Sequence, residues 1–233
     1  MVNYQLSDGV EYRARSHINI YDSPKCDRLA TQAALGRHLR AFNQTRSEVN
    51  LETTAVMVRL CEDDYPGWLD FRDIELLEVT EIVYHPLVLS EEEIRDKLPI
   101  VINFTREAMQ QSNYYLWGGT VGPNYDCSGL IQAAFVAAGI WLPRDAYQQE
   151  AFTTSINIDD VEPGDLVFFG TPEKATHVGL YLGESRYIHS SGKAQGRDGI
   201  GIDILSDNGD AVSQAYYQQL RGYGKVVASY QPS

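Results

Sequence analysis

Two spacings of apolar residues divide this chain. Between Tyr12 and about Tyr84 they fall in short, β-rich runs: Tyr12 to Tyr21, Arg37 to Phe42, Ala55 to Leu60, Gly67 to Phe71 and Ile74 to Ile82. Turn signals such as Asp22-Ser23-Pro24 and Asp64-Tyr65-Pro66-Gly67 separate them, and such closely spaced strands and turns predict a small barrel. Further on the spacing becomes helical. Leu130, Ile131, Ala134, Phe135 and Ala138 share one helix face, with Asp126 as N-cap and Gly139 as stop. Ser90 and Glu93 form a capping box that opens another helix ahead of Pro99. The stretch from Thr176 to Ser191 reads as two strands joined by a tight turn around Gly183. The border between the two regimes falls near residues 85 to 90, giving domains of 1–86 and 87–233, and no internal repeat or low-complexity tract interrupts either.

The helical pattern places Cys127 in the first turn of its helix. Unpaired N–H groups and the helix dipole there favour thiolate over thiol, so the sequence predicts a cysteine pKa below the usual value of about 8.5 once a histidine approaches. Two candidate bases lie downstream. With a three-residue loop from Gly183 to Ser185, His177 and His189 become diagonal neighbours on one sheet face, roughly 7–8 Å apart at their backbones. A loop with an even residue count sends the rings to opposite faces. The pair suits a series of nucleophile, base and orienter, with His177 taking the thiol proton and His189 holding its ring. His17, His38 and His85 read as structural, and Cys26 and Cys61 as ordinary small residues. A cysteine with two histidines also fits zinc chemistry, but neither the spacing of four-ligand sites nor an HExxH motif is present, so no metal or organic cofactor is expected.

Composition narrows the partners. The 233 residues carry a formal charge of −13, which disfavours nucleic acid and anionic membranes, since both require a basic patch. Hydrophobic residues make up 43%, enough for a real core, yet no run approaches the roughly 20 apolar residues of a membrane span. Met1 to Asp8 lacks the basic start and apolar core of a signal peptide, so a cytoplasmic location is expected.

Six ordered blocks resemble the NlpC-type cell-wall cysteine peptidases: Tyr115-Leu116-Trp117-Gly118-Gly119, Asp126-Cys127-Ser128-Gly129-Leu130, Leu142-Pro143-Arg144, Pro163-Gly164-Asp165-Leu166-Val167-Phe168-Phe169, His177-Val178-Gly179-Leu180-Tyr181-Leu182-Gly183 and Tyr187-Ile188-His189. The resemblance covers roughly residues 95 to 233 and implies a papain-like α+β domain. It implies Cys127 as nucleophile, His177 as general base, His189 as third polar residue, Tyr115 as oxyanion stabiliser, and Asp126 and Ser128 as substrate-lining residues. Ile18-Asn19-Ile20-Tyr21-Asp22-Ser23-Pro24 with Gly67-Trp68-Leu69 resembles the bacterial SH3-like domains attached to wall hydrolases.

The reaction this resemblance implies is hydrolysis of the γ-D-glutamyl–L-diamino acid bond of peptidoglycan stem peptides. Glu62-Asp63-Asp64-Tyr65 has two readings: a solvated turn, or a loop that receives the free ammonium group of an N-terminal L-alanine, as in a murein-recycling enzyme. The alternatives are a wall-anchored hydrolase of intact peptidoglycan, a non-catalytic wall-binding protein, and an acyltransferase on a related fold. Intact Cys127, His177 and His189 argue against the non-catalytic reading, and the lack of an amphipathic or transmembrane tail argues against the acyltransferase.

Overall fold

The computed structural model describes residues 6–42 and 54–232. Its residues divide into two compact units, Met1–Pro86 with Pro232–Ser233, and Leu87–Gln231.

The first unit is all-β. Its strands are β1 (Glu11–Ala14), β2 (Ile18–Tyr21), β3 (Leu29–Ala33), β4 (His38–Ala41), β5 (Ala55–Leu60), β6 (Pro66–Asp70) and β7 (Leu77–Val79), in the spatial order β3-β2-β6-β5-β4-β1-β7. Alternation builds the core: Ile18 and Ile20 of β2, Val58 and Leu60 of β5, Leu39 and Leu69 point inward and are buried. Three details differ from the sequence pattern. The run from Tyr12 to Tyr21 breaks into β1 and β2 around Arg15 to His17, just after Arg15 N–H bonds the Leu76 carbonyl at the end of the β1–β7 ladder. The polar-looking Leu29–Ala33 is a strand, paired with β2. Phe71–Leu76 forms a 3₁₀ helix capped by Asp70, so only Leu77–Val79 of the last run stays extended.

The second unit mixes helix and sheet. Helices α1 (Glu91–Gln110), α2 (Cys127–Ala137) and α3 (Ala146–Phe152) precede strands β8 (Thr154–Ile156), β9 (Leu166–Gly170), β10 (Ala175–Gly183), β11 (Arg186–Ser191) and β12 (Gly199–Ile204). Helix α4 (Ala211–Tyr217) and strand β13 (Leu220–Lys225) follow. The antiparallel sheet runs β12-β11-β10-β9-β13-β8. Ser90 and Glu93 cap α1 reciprocally, as the sequence predicts. The helix then continues through Pro99, because Pro99 and Arg95 are exposed and water can satisfy the carbonyl that loses its partner.

The sheet is buried on both faces. Leu166 and Phe168 of β9, Val178 and Leu180 of β10 and Ile188 of β11 pack on α1 and α2 through Ile94, Val101, Ile131 and Phe135. Val167, Phe169, Tyr181 and Tyr187 pack on the other face against Val212 and Tyr216 of α4. Both faces therefore exclude water from side chains on β10 to β12, and this positions the site. No helix among the described residues is long and apolar enough to cross a membrane.

Candidate active site

Helix α2 begins at Cys127, with Asp126 as its N-cap accepting from Gly129 N–H at 2.6 Å. Asp126 does more than cap. Its other oxygen accepts from Gly118 N–H at 2.9 Å, and Arg144, buried to 1% exposure, reaches both oxygens at 3.1 and 2.6 Å and Ser128 Oγ at 2.9 Å. The two residues assigned to substrate lining are thus tied into a buried Arg144 clamp that locks the nucleophile's helix to the Trp117-Gly118-Gly119 segment. Gly129 completes the junction. A Cβ there would lie 2.0 Å from the Gly119 carbonyl oxygen, so only glycine lets the two backbones meet. Gly129→Ala is expected to cost about 1–3 kcal/mol in denaturant unfolding through forced backbone displacement. An unchanged unfolding midpoint would mean that the junction yields freely.

The hairpin of β10 and β11 sets the histidines. Its loop is two residues, Glu184 and Ser185, both at positive φ as in a primed hairpin turn. By itself this even loop puts the rings on opposite faces. A bulge between Tyr181 and Gly183 adds the residue that restores the parity of a three-residue connection. His177 and His189 consequently meet, Nε2 to Nδ1, at 2.7 Å.

The chain of contacts extends one residue further than the sequence reading. His189 Nε2 lies 2.6 Å from Asp203 Oδ2 on β12, where Asp203 opposes Tyr187 in register. Arg197 closes the other side of that carboxylate, with Nε at 3.0 Å from Oδ2 and Nη2 on Oδ1. Tyr216 of α4 stacks on His177 with centroids 4.4 Å apart, and its hydroxyl pairs with Ser191 Oγ at 2.8 Å. His189 is fully buried, His177 8% and Asp203 3% exposed.

Burial rules the electrostatics. It depresses His177 well below the usual imidazole range, with His189 adding to the effect. His189 is lowered by burial too, although Asp203 opposes this. Burial acts to raise Asp203, but His189 and Arg197 outweigh it and hold the carboxyl below its ordinary value. The expectation of a low-pKa thiol at Cys127 is corrected. Burial and the Asp126 carboxylate push the thiol up to about 12, against the opposing backbone hydrogen bonds of Val178 and Ser128 and the charge of Arg144. The dipole at the helix start is outweighed chiefly by the burial of the sulfur, with the neighbouring Asp126 carboxylate adding to it. The resting pair is therefore neutral thiol and neutral imidazole, and the proton moves as the sulfur attacks.

Cys127 meets β10 at the residue after the base, through the Val178 backbone. Tyr115 completes the surround. Burial first, then the nearby Cys127, Asp126 and Tyr216, hold its phenol well above the ordinary range, so it remains an O–H donor.

The acidic loop departs from the solvated-turn reading. Glu62 and Asp63 are 3% and 5% exposed and pair with the buried Arg37 of the barrel at 3.3 and 2.7 Å. Asp64 sits at φ 56° with Arg59 at 3.8 Å, and Tyr65 N–H bonds Asp63 Oδ1 at 3.3 Å. His38 is structural as expected, 2.5 Å from Glu11, and His17 accepts from Leu35 N–H. Cys26 and Cys61 are free thiols, and burial pushes Cys61 up to about 12, which leaves it unreactive. Among the described residues no group of His, Cys, Asp and Glu could hold a metal ion.

Residues 112–221 match the NlpC/P60 family, a stretch that contains Tyr115, Cys127, His177, His189 and Asp203. Residues 112–221 thus form an NlpC/P60 domain. Residues 20–74 match the bacterial dipeptidyl-peptidase Sh3 domain, in agreement with the all-β first unit. Three Bacillus subtilis (strain 168) proteins are similar to this chain. A γ-D-glutamyl-L-lysine dipeptidyl-peptidase is 40% identical over 95 residues, 40% of this chain and 30% of its own length. A bifunctional muramidase/DL-endopeptidase is 42% identical over 91 residues, 37% of this chain and 28% of its own length. A γ-DL-glutamyl hydrolase is 41% identical over 81 residues, 34% of this chain and 20% of its own length. The chain thus spans less than a third of each of these relatives.

Asp203, Arg197 and Tyr216 were not singled out from the sequence, and Arg144 was seen only as part of a motif. The available signal was a lone carboxylate inside the alternating strand Gly199-Ile200-Gly201-Ile202-Asp203-Ile204.

Proposed function

We propose that this NlpC/P60 chain hydrolyses the γ-D-glutamyl–L-diamino acid bond of peptidoglycan stem peptides. The observation that carries the reading is the buried, hydrogen-bonded pair His177–His189, with Val178, the residue after His177, meeting Cys127 through its backbone, in a domain whose relatives are named for cleaving γ-glutamyl bonds. In the proposed mechanism the Cys127 thiol gives its proton to His177 as the sulfur attacks the γ-glutamyl carbonyl. Tyr115 O–H and the backbone N–H at Cys127 stabilise the oxyanion. His177 then protonates the departing amine of the diamino acid, and afterwards takes a proton from the water that releases the acyl group. The products are L-Ala-D-Glu and the diamino acid or a peptide that begins with it. None of these steps calls on a metal or an organic cofactor.

A free L-alanine amine is the second part of the proposal, with cytoplasmic recycling of released peptides as the role. It is supported by the acidic run Glu62-Asp63-Asp64 beside Tyr65 and by the match of residues 20–74 to the bacterial dipeptidyl-peptidase Sh3 domain. An ammonium group makes charge-assisted hydrogen bonds to carboxylates, whereas an acetylated amine carries no charge to offer them. The test compares L-Ala-γ-D-Glu-diaminopimelate with its N-acetylated form and with intact sacculi. The expected result is cleavage of the free peptide with about a hundredfold or greater preference over the acetylated one. Equal rates would remove amine recognition and turn the reading to a hydrolase of intact wall.

A further inference from the structure

Asp203 is joined to the base only through His189, yet its surroundings constrain every proton in the series. Its two oxygens meet three N–H-bearing atoms: His189 Nε2 at 2.6 Å and Arg197 Nε at 3.0 Å on Oδ2, and Arg197 Nη2 on Oδ1. Arg197 also lies 3.7 Å from Asp210 Oδ2, at the start of α4, which anchors it from outside. An ionised carboxylate can only accept hydrogen bonds, so His189 must carry its proton on Nε2. A neutral His189 then offers Nδ1 as a lone pair. The 2.7 Å contact to that atom requires His177 Nε2 to be the donor, and the basic nitrogen left on His177 is Nδ1.

We propose that Asp203 is a positioning residue that fixes the tautomers of both imidazoles, so that His177 presents a bare Nδ1 to the Cys127 thiol. When the S–H bond breaks, the proton joins His177 Nδ1, and the imidazolium formed keeps its Nε2–H on His189. The packing around the pair resists the alternative arrangement. Tyr216 stacks on His177, Tyr187 lies 4.8 Å from His189 ring to ring, and both imidazoles are buried. The inference concerns proton placement at this cysteine site whichever wall bond is cut.

Asp203→Asn tests it with almost no change of shape. With its NH₂ toward His189, the amide reverses both tautomers and puts a proton on His177 Nδ1, while facing the Arg197 Nε donor. With its NH₂ toward Arg197 Nη2, it sets donor against donor. Imidazole ¹⁵N shifts, assigned with single substitutions at His17, His38 and His85, are expected to show Nε2–H tautomers at both His177 and His189 in the native chain. In Asp203→Asn the tautomers should be reversed or mixed and kcat should fall about 10²–10⁴-fold, with KM and the thermal midpoint little changed. Native His177 protonated at Nδ1 would overturn the proposal without any variant, which covers the case of a variant that does not fold. Unaltered tautomers in a folded Asp203→Asn would also overturn it, whether kcat is retained or lost, since a loss would then be structural.

Discussion

Cys127→Ala is expected to lower turnover of a γ-glutamyl peptide by about 10⁴-fold or more while the protein unfolds at nearly its native midpoint. The substitution removes one sulfur from the first turn of α2 and leaves Asp126, Gly129 and the Arg144 clamp in place. The thiol it removes is held neutral by burial and the Asp126 carboxylate, so no charge is lost with it. Stability should therefore stay level. Cys26→Ala and Cys61→Ala should leave turnover unchanged, because both lie outside the NlpC/P60 match and burial holds both thiols above the ordinary range. Near-native hydrolysis by Cys127→Ala would end the mechanism, and loss of alkylation-sensitive activity in either other variant would move the nucleophile there.

His177→Ala is expected to lose about as much as Cys127→Ala, because both proton transfers pass through that ring and the two groups act as one unit. His189→Gln should behave differently. A glutamine side chain has an oxygen that can accept from His177 Nε2 and an NH₂ that can donate to Asp203, which reproduces both contacts of His189. The variant should keep a measurable fraction of kcat, on the order of 1–10%. His189→Ala, which severs the link, should fall well below it. Equal and total loss in His189→Gln and His177→Ala would show that His189 itself carries protons. The measurement is kcat and KM on one defined peptide for all three variants, with unfolding midpoints to confirm their folds.

What was legible in the sequence is what local rules govern. Helix α2 starts and stops where Asp126 and Gly139 require, and Ser90 with Glu93 opens α1. The histidine pairing was legible only conditionally, since it depended on the parity of the connection. A two-residue turn with a bulge and a three-residue loop give the same alignment, and the bulge has no mark in the residues from Tyr181 to Gly183. Leu29–Ala33 was missed because the polar Thr31 and Gln32 hide its hydrophobic pattern, although Thr31 is buried.

Asp203 stayed hidden for a related reason. In β12 the alternation suggests that Ile200, Ile202 and Ile204 form the inner row, yet Ile204 is 37% exposed while Gly199, Gly201 and Asp203 are buried. A sheet covered on both faces has no single inner row, so hydrophobic pattern cannot rank a carboxylate on it. The thiol's protonation was misjudged on electrostatic grounds. A helix start favours an anion, but here the anion it favours is already the Asp126 carboxylate, and a second one on Cys127 would be buried beside it.

The most direct test of the central claim is mass spectrometry of the products formed from L-Ala-γ-D-Glu-diaminopimelate by the native chain and by Cys127→Ala. The account predicts L-Ala-D-Glu and free diaminopimelate from the native chain, and uncleaved peptide from the variant. Cleavage between L-Ala and D-Glu, or the same products from both proteins, would contradict it.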